Sequence, residues 1–166
     1  MSAPLEMLAG RPVGQVGILV RDLERALDRY SSLWGLGPWT GYEYGPDTVP
    51  ELRYRGEPGR YAMRIALTGS GPQVELIEPL RGPSIYHEWL ESRPEGVHHL
   101  GIYVESVDDA IATMGTAGYA LLQSGAGYGV DGDGGYAYFD TERDFGLVLE
   151  AIEVPRQRRE PDFTWP

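Results

Sequence analysis

Val97-His98-His99-Leu100-Gly101-Ile102-Tyr103-Val104 echoes an earlier run, Val13-Gly14-Gln15-Val16-Gly17-Ile18-Leu19-Val20. Setting Gln15 on His99 aligns Gly17 with Gly101, Ile18 with Ile102 and Val20 with Val104, a shift of 84 residues. Each run is short, apolar and β-branched, the pattern of a buried strand. A repeat at this spacing marks two copies of one module. The segments after the two strands agree. Arg21-Asp22 offers an aspartate to the free N–H groups of a helix start, and Leu23, Ala26, Leu27, Tyr30 and Trp34 form one apolar stripe that Gly35 ends. In the second copy Ser106 and Asp109 suit a capping box, and Val107, Ala110, Ile111 and Met114 repeat the stripe.

Turn-rich breaks then separate extended segments at Trp39 to Tyr44, about Arg60 to Leu67, and Gln73 to Glu78. Their counterparts are Tyr119 to Ser124, Tyr136 to Thr141 and Leu147 to Glu153. Tyr136-Ala137 matches Tyr61-Ala62, and Glu150 matches Glu75, both at a shift of 75 because the second copy has a shorter middle. Residues 47–56 read as a mobile loop or a short extra strand. The layout is an N-terminal extension (1–12), a first βαβββ module (13–80), a linker helix (81–96) capped by Ser84, a second βαβββ module (97–155) and a tail (156–166). The modules form one α+β domain over 13–155. The tail, with Arg156, Arg158 and Arg159, is expected to fray rather than dock on a partner subunit.

The chain of 166 residues carries a formal charge of −11, which opposes binding to nucleic acid or an anionic membrane surface. It has no cysteine and no lysine. Disulfides, thiolate sites and Schiff-base chemistry are therefore excluded, leaving carboxylates, three histidines, arginines and tyrosines as reactive groups. Met1 to Arg11 shows no signal-peptide pattern, and no run is long and apolar enough to span a bilayer. The expectation is a cytoplasmic protein whose partner is a small molecule.

Two βαβββ copies related by a pseudo-two-fold axis bring their first and last strands to one place. Gln15 and Glu75 come from one module, His99 and Glu150 from the other. In Val74-Glu75-Leu76 and in Val148-Leu149-Glu150-Ala151-Ile152 a carboxylate interrupts an apolar strand, and a buried carboxylate needs a cation or a hydrogen-bonding partner. Two at equivalent positions favour a metal. On strand alternation His98 faces away from His99 as a structural or rim residue, though a one-residue register slip would exchange the two. Glu78 and Glu153 read as surface charge, and His87 as a solvated side chain. The run from Gly125 to Gly135 lacks the setting of a dinucleotide fingerprint or an EF-hand and reads as a loop or hairpin beside the cleft.

Across roughly residues 13 to 154, Gln15-Val-Gly-Ile-Leu-Val-Arg-Asp, Val74-Glu75-Leu-Ile-Glu-Pro79, His98-His99-Leu-Gly-Ile-Tyr-Val and Gly146-Leu-Val-Leu-Glu150 occur in order. In these fragments the chain resembles the vicinal oxygen chelate superfamily, which contains glyoxalase I, methylmalonyl-CoA epimerase, extradiol dioxygenases, fosfomycin-resistance enzymes and bleomycin-binding proteins. The resemblance implies half-barrels of paired βαβββ units around a metal cleft. Gln15, Glu75, His99 and Glu150 resemble the ligands of some glyoxalases I. They depart from the epimerase set at Gln15 and Glu75, and from the two histidines and one carboxylate of the dioxygenases.

Such a site suits a divalent ion (Zn, Ni, Co, Mn or Mg). The implied function is an isomerase, epimerase or lyase of glyoxalase type, in which Glu150 or Glu75 moves a proton next to a carbonyl and the metal stabilises the enolate. A homodimer is implied. Tyr61, Met63 and Ile65 stand where the family's epimerases carry a further acid. The competing expectation is a metal-free protein that binds an aromatic drug or natural product, using Trp34, Trp39, Tyr42 and Tyr44 near the cleft. A fosfomycin-type transferase or hydrolase ranks below both.

Overall fold

A computed structural model describes residues 8–166. Of the expected N-terminal extension, residues 1–7 lie outside the described residues. The elements run β1 (Gln15–Leu19), α1 (Leu23–Trp34), β2 (Trp39–Tyr44), β3 (Glu51–Tyr54), β4 (Glu57–Pro58), β5 (Ala62–Thr68) and β6 (Gln73–Arg81), then α2 (Ile85–Ser92). They continue with β7 (Gly96–Tyr103), α3 (Val107–Thr116), β8 (Leu121–Ala126), β9 (Gly135–Phe139), α4 (Glu142–Phe145), β10 (Val148–Glu153) and β11 (Phe163–Trp165). Among the described residues no helix is long and apolar enough to cross a membrane.

The helix starts follow their sequence signals. Asp22 accepts the Arg25 N–H at 3.0 Å, Ser84 that of His87 at 3.3 Å and Ser106 that of Asp109 at 3.1 Å. Gly35 takes a left-handed φ of 72° and donates its N–H to Ser31, which closes α1. The stripe of α1 buries Leu23, Ala26 and Leu27 against Trp39, Ala66 and Leu76. Trp34 departs from that stripe. It is 67% exposed because the last turn of α1 has no cover, its neighbour Leu33 being exposed too. The stripe of α3 packs Val107, Ala110 and Met114 on Ala137, Phe139 and Ala151.

The strands form one mixed sheet in the order β11-β2-β5-β6-β1-β7-β10-β9-β8-β3-β4. Residues 47–56 do supply a short strand, and it pairs at a distance: β3 runs antiparallel to β8, with Leu52 opposite Gly125. β2 and β3 thus lie eight strand positions apart, about 38 Å across a flat sheet at roughly 4.8 Å per step. Tyr44 and Glu51, however, are joined by a link that spans at most about 25 Å. The sheet therefore has to curl, and it forms the half-barrels implied by the sequence. Tyr61 and Tyr136, equivalent in the repeat, meet inside the curl with their hydroxyls 2.9 Å apart, and Tyr61 also donates to the Ser124 carbonyl at 2.8 Å.

The tail does not fray. β11 adds to the edge of β2 with Trp165 opposite Trp39, and Phe163 lies across Gly41, where a Cβ would come within 2.0 Å of its ring. Phe163 and Trp165 join the core beneath α1. An unpaired edge and an uncovered apolar face supply the driving force, and neither is visible in the composition of the tail. A chain ending at Pro155 is expected to lose about 2–4 kcal/mol of stability, from two partly buried aromatics and an edge strand. Urea unfolding compared with the full chain measures it, and an unchanged midpoint would show the tail to be dispensable.

Candidate metal centre

The site lies on the seam where β1 and β7 run antiparallel. Gln15 faces Gly101 and Gly17 faces His99, while β6 and β10 flank the seam in parallel, placing Glu75 beside Gly17 and Glu150 beside Gly101. Two of the glycines shared by the repeat acquire a reason here. A Cβ on Gly17 would lie 1.9 Å from the His99 ring, and one on Gly101 would come 3.0 Å from the Gln15 Cβ and 3.3 Å from Glu150 Oε2. Gly17 makes room for His99 across the seam, and Gly101 for Ile152, whose Cδ1 a Cβ there would meet at 2.6 Å, as well as for Gln15.

The four residues singled out in the sequence meet at one point. All are buried, His99 completely. Nε2 of His99 is 3.4 Å from Glu75 Oε2 and 3.2 Å from Glu150 Oε2, yet it makes no hydrogen bond. One end of the Gln15 amide lies 3.1 Å from Glu75 Oε2 and 3.3 Å from Glu150 Oε2. The other end of the amide lies 3.0 Å from Gln73 Oε1. Two carboxylates at one buried point repel each other unless a positive charge, a protonated imidazole or a bound cation, sits between them. In the ion-free chain the N–H groups of the amide donate to both carboxylates, and with a cation present its carbonyl oxygen would turn inward as a ligand.

The spacings fit a metal. Ligands at about 2.0–2.2 Å from an ion lie roughly 2.8–3.6 Å from their neighbours in octahedral or tetrahedral arrangements, and the four edges here run from 3.1 to 3.4 Å. Glu75, His99 and Glu150 form a buried group that could hold a divalent ion. In the ion-free chain, burial opposes the charged form of His99, but Glu150 and Glu75 outweigh it and push the imidazole up to about 9. Burial pushes the Glu75 carboxyl up; the contact with His99 opposes this and the charge of Glu150 adds to it.

His98 corrects the expectation from alternation. The register skips from Gly17 opposite His99 to Ile18 opposite Val97, so His98 is the extra residue of a β-bulge. The bulge puts both rings on one side of β7, edge-on to Tyr138 at 6.0 and 5.0 Å, with their Nδ1 atoms 3.0 Å apart. His98 is buried against Tyr86 and Trp89, and that burial holds its imidazole neutral by pulling it down to about 2. A charged His99 carries a proton on both nitrogens, so its Nδ1–H donates to Nδ1 of the neutral His98, whose own proton is then on Nε2. His98 orients the imidazole of the site from behind.

Other placements also depart from the sequence reading. Glu153 accepts the Val107 N–H at 3.0 Å and so caps α3, while Glu78 is partly buried and pairs with Arg64 at 3.5 Å, so neither stands as free surface charge. His87 is half-buried, its Nδ1 2.9 Å from the Ser84 hydroxyl. Trp39 is buried beneath α1 and donates to the Leu36 carbonyl, and Trp34 is exposed, so neither reaches the cleft. Tyr44 does line it, with Tyr42 stacked behind at 5.8 Å. The cleft wall is Met63, Ile65, Leu67 and Ile152; its rim carries Tyr128, from the 125–135 loop, and Arg158. Gln73 was legible in principle, two residues before Glu75 on the same strand face. Arg158 was not, because only the docking of the tail brings it here.

The family model for the glyoxalase/bleomycin resistance protein/dioxygenase superfamily matches residues 14–139. No curated protein matches the chain. Among solved structures, a hypothetical protein from Bacillus halodurans C-125 superposes with a TM-score of 0.64 at 22% identity, covering 90% of this chain and 99% of its own. Methylmalonyl-CoA epimerase from Mycobacterium tuberculosis gives 0.61 at 23%, covering 90% and 93%. A Streptomyces coelicolor methylmalonyl-CoA epimerase variant in complex with 2-nitronate-propionyl-CoA gives 0.63 at 20%, covering 86% and 96%.

Two substitutions test the geometry. Gly17→Ala is expected to push the His99 ring out of the site, costing about 1–3 kcal/mol of stability and at least roughly tenfold in divalent-metal affinity. Calorimetric titration of the refolded variant reads the second quantity, and wild-type affinity would refute the steric argument. His98→Phe keeps a ring in place but removes the acceptor for His99 Nδ1–H. It is expected to weaken metal affinity about 10- to 100-fold, with circular dichroism unchanged.

Proposed function

Because the chain belongs to the glyoxalase/bleomycin resistance protein/dioxygenase superfamily, we propose that Gln15, Glu75, His99 and Glu150 hold one divalent metal ion. We further propose that the protein is an isomerase, epimerase or lyase of glyoxalase type, moving a proton at a carbon next to a carbonyl. The observation that carries this reading is the buried group of two carboxylates and one imidazole nitrogen, with the Gln15 amide against it. When bound, a divalent ion supplies Lewis acidity that stabilises the negative charge left on adjacent substrate oxygens by proton removal.

The chain's own residues define the rest. Burial pushes the phenols of Tyr44, Tyr128, Tyr136 and Tyr138 up, that of Tyr44 to about 12, so they stay protonated and act as donors. Among the groups lining the cleft this leaves Glu75 and Glu150 as bases. They come from equivalent positions in the two repeats. With one carboxyl ionised and the other protonated, the first can take the proton from one face of a substrate while the second gives its own proton to the opposite face, as epimerisation requires. Met63, Ile65, Leu67 and Ile152 keep water from the reacting carbon. The epimerase neighbours, which act on a small molecule, agree with this class of reaction. A metal-free drug binder is not favoured, because the two tryptophans invoked for it lie away from the cleft.

Elemental analysis after repletion with divalent salts is expected to find about one ion per chain, lost in His99→Ala. Glu150→Gln is expected to slow exchange of substrate α-protons in deuterated water by at least about 100-fold. A repleted wild-type chain without stoichiometric metal would overturn the reading.

Metal binding also has to displace the proton that His99 holds up to about 9. At pH 7 at least about one proton is expected to be released per ion, and apparent affinity should rise roughly tenfold per pH unit until near pH 9. Stability of the ion-free chain has the opposite sign. The raised His99 stabilises it fully below the ordinary value of 6.5 and ceases to do so as the pH climbs through about 9. Calorimetry in buffers of different ionisation heat measures the proton release, and none at pH 7 would contradict the assignment.

A further inference from the structure

Three arginines lie within four residues of the tail, and two have carboxylate partners. Arg156 pairs with Asp133 at 3.1 Å and Asp131 at 3.6 Å, and Arg159 with Asp162 at 2.7 Å. Arg158 has no carboxylate partner among the described residues. Its guanidinium lines the metal cleft, where its one side-chain hydrogen bond goes to the Tyr44 hydroxyl at a long 3.4 Å. It also lies over the rings of Tyr42 at 5.9 Å and Tyr128 at 5.5 Å. Contacts at that distance are near the limit of cation–π attraction.

The placement is built, not incidental. The backbone of Arg158 bridges Gly129, and the neighbouring Val130 N–H donates to the Gln157 carbonyl at 2.9 Å, which ties the tail to the cleft loop. Among the residues lining the cleft Arg158 is the one cation. A half-buried guanidinium left unpaired is costly, and in a chain with 25 acidic residues and 14 arginines acidic partners are plentiful. Glu75 and Glu150 lie across the same cleft, but a divalent ion held by them would cancel their charge and leave Arg158 uncompensated. This step rests on the metal reading given above.

We propose that Arg158 is the substrate-binding residue for an oxyanion, so that the substrate is a small acid whose carboxylate or phosphate group is held at the rim of the cleft while its reacting carbon lies between Glu75 and Glu150. The planar fork of the guanidinium suits two parallel hydrogen bonds to such a group. The charge also explains how an acidic protein admits an acidic ligand, because the cleft lining presents it with a guanidinium.

The test compares the full-length wild type with Arg158→Gln and Arg158→Lys, zinc-repleted and chelator-treated, titrated with malonate, inorganic phosphate and the uncharged malonamide. Zinc content and urea midpoint are measured for each chain. The expected result is affinity for at least one anion that falls tenfold or more in Arg158→Gln and recovers in part in Arg158→Lys, with malonamide binding, zinc content and midpoint unchanged. The anion that responds identifies the group taken. Equal anion affinity in wild type and Arg158→Gln would overturn the proposal. So would a loss of malonamide binding parallel to that of the anions, which would make Arg158 only a fastener of the tail. Absence of zinc from all three chains would instead overturn the metal reading, leaving the anion difference to be read in the chelator-treated protein.

Discussion

The antiparallel contact between β1 and β7 is the constraint on which the rest of the structure depends. It places Gln15 opposite Gly101 and His99 near Gly17, and each glycine has no side chain because the residue across the seam needs that space. β6 and β10 then have one way to lie alongside, and they bring Glu75 and Glu150 to the same point. Two carboxylates in an apolar sheet are costly on their own. Their cost is offset in the ion-free chain by a charged His99, and in the proposed ion-bound chain by the metal.

The seam is not symmetric, and the asymmetry is chemical. The bulge at His98 exists in β7 alone, where it stacks a second, neutral imidazole behind the first and fixes which nitrogen of His99 faces the carboxylates. On the β1 side Gln73 does the corresponding work for Gln15 by holding the far end of its amide at 3.0 Å. Both supports act through one hydrogen bond on the orientation of a side chain, which is how a site keeps its donors aimed before any ion arrives.

Curling the sheet completes the cleft. The short link from β2 to β3 draws the two edges toward each other, and the tail then crosses back to pair with β2. That crossing buries Phe163 and Trp165 under α1 and carries Arg158 to the cleft. Closure of the barrel and composition of the rim are therefore coupled.

Much of this was written in the chain itself. The repeat of 84 residues determined the βαβββ plan, the helix caps at Asp22, Ser84 and Ser106 determined where the helices begin, and apolar strands interrupted at Glu75 and Glu150 marked the four residues that meet. These are local or periodic signals, legible because strand alternation and helix capping act over a few residues. Tertiary structure alone decided the rest. The bulge at His98 breaks the alternation that a reader of sequence must assume. β3 finds its partner in β8, some 70 residues later, because the sheet curls. The exposed Trp34, the capping role of Glu153, the pairing of Glu78 with Arg64 and the docked tail with Arg158 all depend on which surface happens to lie opposite. A sequence records the propensity of each segment, whereas a neighbour brought by the fold sets its burial and its hydrogen-bonding partner.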